Sequence, residues 1–319
     1  MNNDYFLIRD GCPACKSVNT RELYSANYNK PPISTYLKDF YSPQGGIEFE
    51  YLNDVKFVLD ECLECGCINQ RLIPNDFLMT KLYEEWLDPK LVFNFHFQKH
   101  GIEYYEHLAR EIEKCIKYFG GKPSELKLLD FGMGWGEWCR LAQAYGCNAF
   151  GTELSQARID YAKTFGVQII EWEEISEHQF DFINTEQVFE HIANPLETLQ
   201  YLCKSLKTNG IIKISVPNGW DFKRRFAIMD WAATKGSENS LNIIAPLEHI
   251  NCFSHDSLLR MAQIADLVPV QIQAQIQTQK RWLDLTLRDI LKPIYRRMFK
   301  ARYSQKYDST YLFFQRKAV

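Results

Sequence analysis

The chain has 319 residues, 46% of them hydrophobic, and a formal net charge of −3, which allows a sizeable core and a catalytic-sized domain with an appendage. The weakly acidic balance disfavours a dedicated nucleic-acid binder. No run of about 18 apolar residues marks a membrane span. The opening MNNDYFLIRDGC lacks the basic-then-apolar order of a secretory signal, so a cytoplasmic setting with reduced thiols is expected for the ten cysteines.

Cys12-Pro13-Ala14-Cys15 and Cys62-Leu63-Glu64-Cys65-Gly66 are two C-x-x-C pairs separated by 46 residues. Each can form a knuckle offering two thiolates to one tetrahedral ion, so Zn2+ on Cys12, Cys15, Cys62 and Cys65 is expected, with four unrelated buried cysteines as the alternative. Four thiolates close the coordination sphere, which makes such a zinc structural. Gly66 suits the tight turn after its pair, and Lys16 suits it less. Cys67 falls out of register, as a packing residue would. Residues 16–61 must fold as an insertion, with strands expected from alternation at 47–51 and 55–59. Residues 1–74 thus read as a zinc-ribbon-like module.

From 75 to 121 the apolar spacing is helical, first through Phe77, Leu78, Leu82, Tyr83 and Trp86, then through Tyr104, Leu108, Ile112, Cys115 and Phe119. Gly120-Gly121-Lys122-Pro123 ends this joining region. Phe93, Phe95, Phe97, Tyr104 and Tyr105 either line a ligand pocket or, as large aromatics more often do, pack in a core.

From 122 to 319 strands and helices alternate as a parallel sheet demands, with strands at 126–131, 148–152, 167–171, 180–184, 210–217, about 268–274 and 309–315. Helices fall over 136–145, 155–164 and 195–207. The expected fold is α/β, a doubly wound, mostly parallel seven-stranded sheet behind the small cysteine module.

The first strand of that sheet runs into LLDFGMGWGEWCRLA at 128–142, a glycine turn opening a helix. A dinucleotide fingerprint needs glycine where Glu137 stands, and no Lys-Ser/Thr pair follows to make a P-loop. An acidic residue just before alternating glycines suits a cationic ligand without phosphates. The stretch resembles motif I of the class I S-adenosylmethionine (SAM) dependent methyltransferases. The resemblance implies SAM as cofactor, with Asp130, Gly132, Gly134 and Gly136 at its methionine half. It also implies Glu153 on the two ribose hydroxyls with Leu154 beside it, Glu171 and Trp172 at the adenine, and Thr185 near the transferable methyl. Glu173 and Glu174 rival Glu171, and a solvated acidic run is the alternative there.

Val188-Phe189-Glu190-His191-Ile192-Ala193-Asn194-Pro195-Leu196 resembles the "LEHhxxP" stretch of the small-molecule group that includes ubiquinone-biosynthesis methyltransferases. Val216-Pro217-Asn218 and Glu248-His249-Ile250-Asn251-Cys252-Phe253-Ser254 resemble the same group. Methyl transfer requires alignment, exclusion of water and often removal of a proton. His191 and His249 are the candidate bases, and Glu190 or Glu248 the candidate orienting carboxylates; each histidine equally suits a structural role.

The segment 220–231, with Lys223, Arg224 and Arg225, reads either as a lid holding an anionic, phosphorylated acceptor or as a packing helix. A second basic stretch, 292–306 with Arg296, Arg297, Lys300 and Arg302, reads as an amphipathic surface helix or as a contact for acidic lipid or phosphate. The function expected is SAM-dependent methylation of a small-molecule acceptor, such as a nucleotide-linked sugar or a secondary-metabolite intermediate. A four-cysteine module ahead of this fold is similar to the nucleotide-sugar C-methyltransferases, and C-, O- and N-methylation all stay open. An RNA methyltransferase using the module as platform is the alternative, disfavoured by a pI near 6.2 and by Asn184-Thr185-Glu186-Gln187 in place of an Asn/Asp-Pro-Pro-Tyr/Phe motif. A non-catalytic zinc-ribbon scaffold is the third reading, opposed by the intact glycines and Glu153.

Overall fold

The structure, a computed structural model, describes residues 4–272 and 309–317. The front of the chain runs through β1 (Phe6–Ile8), β2 (Thr20–Asn27), α1 (Ile33–Tyr41), β3 (Lys56–Cys62), β4 (Ile68–Gln70) and β5 (Leu72–Pro74). β1 and β5 pair antiparallel, and β2, β3 and β4 form an antiparallel meander. Ile33, Leu37 and Tyr41 lie four residues apart and turn one face of α1 into the core. The alternating 47–51 segment is not the strand its pattern suggests: Phe49–Leu52 is a single 3-10 turn. Its apolar side chains find aromatic partners rather than a neighbouring strand, Tyr51 packing on Tyr5, Phe77 and Trp86.

The joining region is mainly helical, as α2 (Asp76–Lys81), a π turn at Leu82–Trp86, α3 (Pro89–Lys99) and α4 (Ile102–Phe119). Asn75 caps α2 and Asp88 caps α3 by accepting first-turn backbone N–H groups. Gly120, at φ 67°, ends α4 where a side chain would be strained.

The catalytic-sized part follows as β6 (Lys127–Phe131), α5 (Glu137–Ala144), β7 (Asn148–Thr152), α6 (Gln156–Thr164), β8 (Gln168–Ile169), β9 (Phe180–Glu186), α7 (Pro195–Lys204) and β10 (Leu206–Pro217). Then come α8 (Phe222–Ile228), β11 (Asn251–Cys252), α9 (His255–Ile264), β12 (Leu267–Val270) and β13 (Ser309–Arg316). Seven strands form one sheet in the order β12-β13-β10-β9-β6-β7-β8. β10, β9, β6, β7 and β8 are parallel, while β13 runs antiparallel to both its neighbours. The sheet is therefore mixed, with a parallel centre. Residues 273 and 274 of the expected sixth strand, and the basic stretch 292–306, lie outside the described residues.

Strand alternation explains why helices cover both faces. Leu129, Ile183, Ile212 and Ile214 belong to a core with α7 and α9, and their neighbours Leu128, Phe182 and Ile211 belong to another with α4, α5 and α6. The front sheet also reaches into the back of the chain. Asn251 and Cys252 pair with Asn69 and Ile68, so β11 completes a four-stranded sheet with β4, β3 and β2. A shared core mixes Tyr28, Leu37 and Phe57 with Phe222, Trp231 and Ile244. No helix among the described residues is long and apolar enough to cross a membrane.

Candidate functional site

The chain leaves β6 outward through β7 to β8, then returns to the other side with β9 and β10. In an open sheet this reversal opens a crevice beyond the carboxyl ends of the two central strands, here β6 and β9. The glycine turn stands at that point. Gly132, Gly134 and Gly136 all have positive φ, at 74°, 56° and 80°. A Cβ on Gly132 would lie 2.6 Å from Val188, so the turn must pass close to the loop after β9. A Cβ on Gly134 would meet no described atom within 4 Å, because this residue faces the crevice.

Asp130, Asn184, Glu186, Lys213 and Ser215 continue the α4-side face of β6, β9 and β10 into the crevice, by the same alternation that places Leu128, Phe182 and Ile211. Asp130 is 3% exposed and accepts from Asn184 Nδ2 at 2.7 Å. Burial pushes its carboxyl up to about 7. Asn184 Oδ1 is buried with no partner among the described residues. Glu111 of α4 and Glu186 each lie 2.6 Å from the buried Lys213 ammonium. Together with Glu137 these carboxylates line a cavity that Tyr104 and Trp135 also border. Arg158 also lines it, and four carboxylates against Arg158 and Lys213 leave it acidic.

Glu153, at the end of β7, accepts from Gly134 N at 3.0 Å, Leu154 N at 2.9 Å and Ser155 N at 3.1 Å. Leu154 beside it is 94% exposed. Glu171 caps the 3-10 turn Trp172–Glu177, exchanging hydrogen bonds with Glu174, so its carboxylate is already engaged. Trp172 stacks on Tyr201 with centroids 4.5 Å apart, near Phe131. Thr185 corrects a sequence expectation. It is fully buried on the opposite face of β9 and its hydroxyl donates to the Lys213 carbonyl at 2.9 Å, leaving Asn184 and Glu186 as the crevice-facing residues.

On the segments that follow β9 and precede β11, His191 and His249 meet edge to face with centroids 4.8 Å apart. His191 Nδ1 lies 3.0 Å from the Glu248 carbonyl and 3.1 Å from the Tyr83 hydroxyl. A carbonyl only accepts, so Nδ1 carries the proton and Nε2 keeps the lone pair. Burial lowers His191 to about 4 and holds His249 well below the usual imidazole value, with His191 adding to that effect. Both rings are therefore neutral near pH 7. His191 is half-buried whereas His249 is buried, so His191 is the more accessible imidazole of the two. Glu190 is 1% exposed, and burial raises its carboxyl well above the ordinary range. Its Oε1 stands 3.8 Å from His191 Nε2. Glu248 is likewise buried, accepts from the Tyr41 hydroxyl at 3.2 Å and is pushed up.

The four cysteines come together, with Cys12 and Cys65 sulfurs 3.6 Å apart, Cys15 and Cys62 sulfurs 3.5 Å apart, and all four within 4.8 Å of one another. Zn–S bonds of about 2.3 Å in a tetrahedron imply sulfur separations of roughly 3.8 Å, so the cluster fits one zinc-sized ion. Lys16 at φ 63° and Gly66 at φ 72° occupy equivalent left-handed positions after the two pairs, and each donates to the first cysteine of its knuckle. Cys67 is buried behind the cluster, where its thiol and that of Cys65 pull Cys12 far down from the usual thiol range.

Other expected contacts are tied up elsewhere. Arg225 is bound to Asp221 and the Ser240 carbonyl, Arg224 to Asp221 and Asn239, and Lys223 to Glu61, so this segment is packed and paired rather than open to phosphate. Of the joining aromatics, Tyr104 borders the cavity, while Phe93 and Phe97 pack on Trp135 and Tyr161. Residues with no distinguishing signal in the sequence include His96, 2.7 Å from Glu137, and Glu111. Tyr83 was visible only as one member of a helical stripe.

A family described as "Methyltransferase domain" matches residues 104–272, just over half of the chain. The ubiquinone biosynthesis O-methyltransferase of Bartonella quintana (strain Toulouse) is 26% identical over 207 residues, covering 58% of this chain and 82% of that protein. The plantazolicin methyltransferase BpumL, solved with a pentazolic desmethylPZN analog and SAH, superposes with a TM-score of 0.47 at 14% identity, covering 76% of this chain and 95% of that one. PKMT2 from Rickettsia typhi, solved with AdoHcy, superposes with a TM-score of 0.42 at 16% identity over 66% of this chain. This chain spans about half of PKMT2, 53% of its length.

Proposed function

The chain belongs to the methyltransferase-domain family, and from that premise we propose that it transfers the methyl group of SAM to a small-molecule acceptor, with His191 taking up the acceptor's proton. The observation that carries this reading is an acidic cavity at the reversal of the sheet, together with two neutral, mutually facing histidines on the segments after β9 and before β11.

The residues present fit the cofactor. Gly134 leaves open space, Asn184 Oδ1 lacks a hydrogen-bond donor among the described residues, and the carboxylates of Glu111, Asp130, Glu137 and Glu186 suit a cation. Gly132, Gly134 and Asp130 would receive the methionine half and Glu153 the ribose. The exposed Leu154 and Trp172 would flank the adenine, with the Trp172 ring held by its stack on Tyr201. When bound, SAM supplies an electrophilic methyl group on a sulfonium. The protein's own task is to exclude water, hold the acceptor in line and remove one proton. A neutral imidazole with its Nε2 lone pair free does the last, and the Glu248 carbonyl, which can only accept, fixes that tautomer at Nδ1. Zn2+ on Cys12, Cys15, Cys62 and Cys65 is the matching proposal for the front module. Four sulfurs leave no open position, so its part is structural.

Calorimetry with SAM, followed by mass spectrometry against nucleotide-linked sugars, phenols, amines and other secondary-metabolite intermediates, tests the proposal. Binding of SAM and a mass gain of one methyl on an acceptor are expected. Absence of SAM binding would leave only a scaffold role, and methylation confined to RNA would replace the small-molecule acceptor.

A further inference from the structure

Asn251 lies two residues after His249, and its side chain is completely buried. The amide nitrogen donates to the Phe189 carbonyl at 2.9 Å and to the Ile192 carbonyl at 2.8 Å, the two carbonyls that flank Glu190 and His191. The amide oxygen accepts from Arg9 Nη1 at 2.8 Å. That bond settles which way the carboxamide points: a guanidinium only donates, so the oxygen faces Arg9 and the NH2 group faces the turn. Both amide hydrogens are thus spent on one turn.

The segment from which Asn251 reaches is itself fixed to the front sheet. Gln70, fully buried in β4, donates from Nε2 to the carbonyls of Ala245 at 2.9 Å and His249 at 3.1 Å, and its backbone N–H donates to the Ile250 carbonyl at 3.0 Å. Asn251 pairs with Asn69 where β11 joins β4. From this base its carboxamide holds the 189–192 turn at a set separation. The His191 ring bridges the same gap, with Nδ1 3.0 Å from the Glu248 carbonyl. A turn displaced by about 1 Å would stretch that contact beyond hydrogen-bonding reach. The Tyr83 hydroxyl, 3.1 Å from the same nitrogen, can donate as well as accept and so tolerates either tautomer; the carbonyl alone discriminates. Aspartate at 251 would keep the shape but offer no donor, and glutamine would add a methylene to a fully buried position.

We propose that Asn251 is a positioning residue for His191: by holding the 189–192 turn against the segment that carries Glu248, it keeps the imidazole protonated on Nδ1 and its Nε2 lone pair ready for the acceptor's proton. The proposal rests on the reading of His191 as the base. Without this clamp the Glu248 carbonyl no longer holds the ring proton. The ring is then free to carry it on Nε2, where it cannot take another, with its lone pair turned to Tyr83.

The test uses the full chain labelled with 15N-histidine at about pH 8, where the ring is neutral, and assigns the His191 signals with His191→Gln. The Nδ1 and Nε2 shifts report which nitrogen carries the proton, and SAM affinity is measured in parallel. Wild type is expected to hold the proton on Nδ1. Asn251→Asp keeps the volume and the bond to Arg9 but loses both donors to the turn. Its ratio of Nδ1–H to Nε2–H should fall about fivefold or more, the weight of one lost hydrogen bond. Its SAM affinity should stay within about twofold of wild type, because Asn251, Phe189 and Ile192 do not line the cavity. Asn251→Ser, with one donor left, should show a smaller fall, and it decides if Asn251→Asp fails to fold, shown by lost SAM binding. Val58→Ala, which opens a void in neighbouring β3, should lower the melting temperature and leave the ratio unchanged. A wild-type ratio in the folded Asn251 variant, or an equal fall in Val58→Ala, overturns the proposal. So does a wild-type ring protonated on Nε2. Full methyl transfer by His191→Gln would instead refute its role as base, while the tautomer ratio in Asn251→Asp would still report on the clamp.

Discussion

The backbone N–H of Gly134 donates to Glu153 Oε2 at 3.0 Å, tying the glycine turn after β6 to the carboxylate at the end of β7. Leu154 and Ser155 donate to the other oxygen, so the carboxylate is oriented before any ligand arrives. Glu153→Ala should weaken SAM binding by about 30- to 100-fold, the loss of a charge-assisted pair of hydrogen bonds worth roughly 2–3 kcal/mol. Calorimetry measures it, and unchanged affinity would remove the ribose role.

Asp130 sets a pH dependence for the same binding. Burial raises it to about 7, so the folded protein holds a proton that the unfolded chain releases near 4. A cationic cofactor favours the ionised form. SAM affinity should therefore rise as pH increases through 7, with a proton released on binding, and level off above pH 8. Asp130→Asn should flatten this profile while keeping the hydrogen bond with Asn184. Calorimetry in buffers of different ionisation enthalpy reads the proton directly.

The histidine pair makes two further expectations. With the acceptor found in the methyl-transfer panel, His191→Gln should lower turnover by about 10²- to 10⁴-fold at unchanged SAM affinity, the span usual for a lost general base. His191 is depressed to about 4, so its protonation in the unfolded chain opposes folding below pH 6.5. Stability should thus fall as pH drops from about 6.5 toward 4, by about 2 kcal/mol from this residue, and His191→Gln should remove that part of the slope in denaturant titrations.

Chelation should release one zinc per chain, and its structural effect should extend beyond the cysteines. Because β4 pairs with β11, amide protection should fall at 68–70 and at 250–252 together. Hydrogen exchange with mass spectrometry distinguishes this from a module that loosens alone.

Much of this was legible in the chain. The central strands announce themselves through short apolar stretches such as Leu128-Leu129 and Ile211-Ile212 alternating with helical segments, and the glycine spacing separates this turn from dinucleotide and phosphate loops. The cysteine spacing foretold the cluster geometrically. What sequence could not show was contact between distant segments. Thr185 and Glu186 are adjacent, yet one lies in a core and the other in the crevice, and only the strand register decides which. Asp221 is a local helical partner of Arg224 and Arg225, but the contacts with Asn239 and the Ser240 carbonyl that complete their pairing arise only after the loop folds back. Residues 47–51 alternate correctly for a strand but have no strand to join. Across the expected boundary at residue 74, β4 pairs with β11 and one core joins both sides, a contact that spacing along the chain does not reveal.

That contact has a consequence for how the chain folds. The sheet begun by β2, β3 and β4 keeps an open edge until Asn251 and Cys252 arrive, nearly two hundred residues later. During synthesis at about 5–20 residues per second, that edge waits some tens of seconds with unpaired backbone groups exposed. A fragment ending near residue 74 would keep the edge permanently, so excising the front of the chain should yield a self-associating species rather than an independent metal-binding unit.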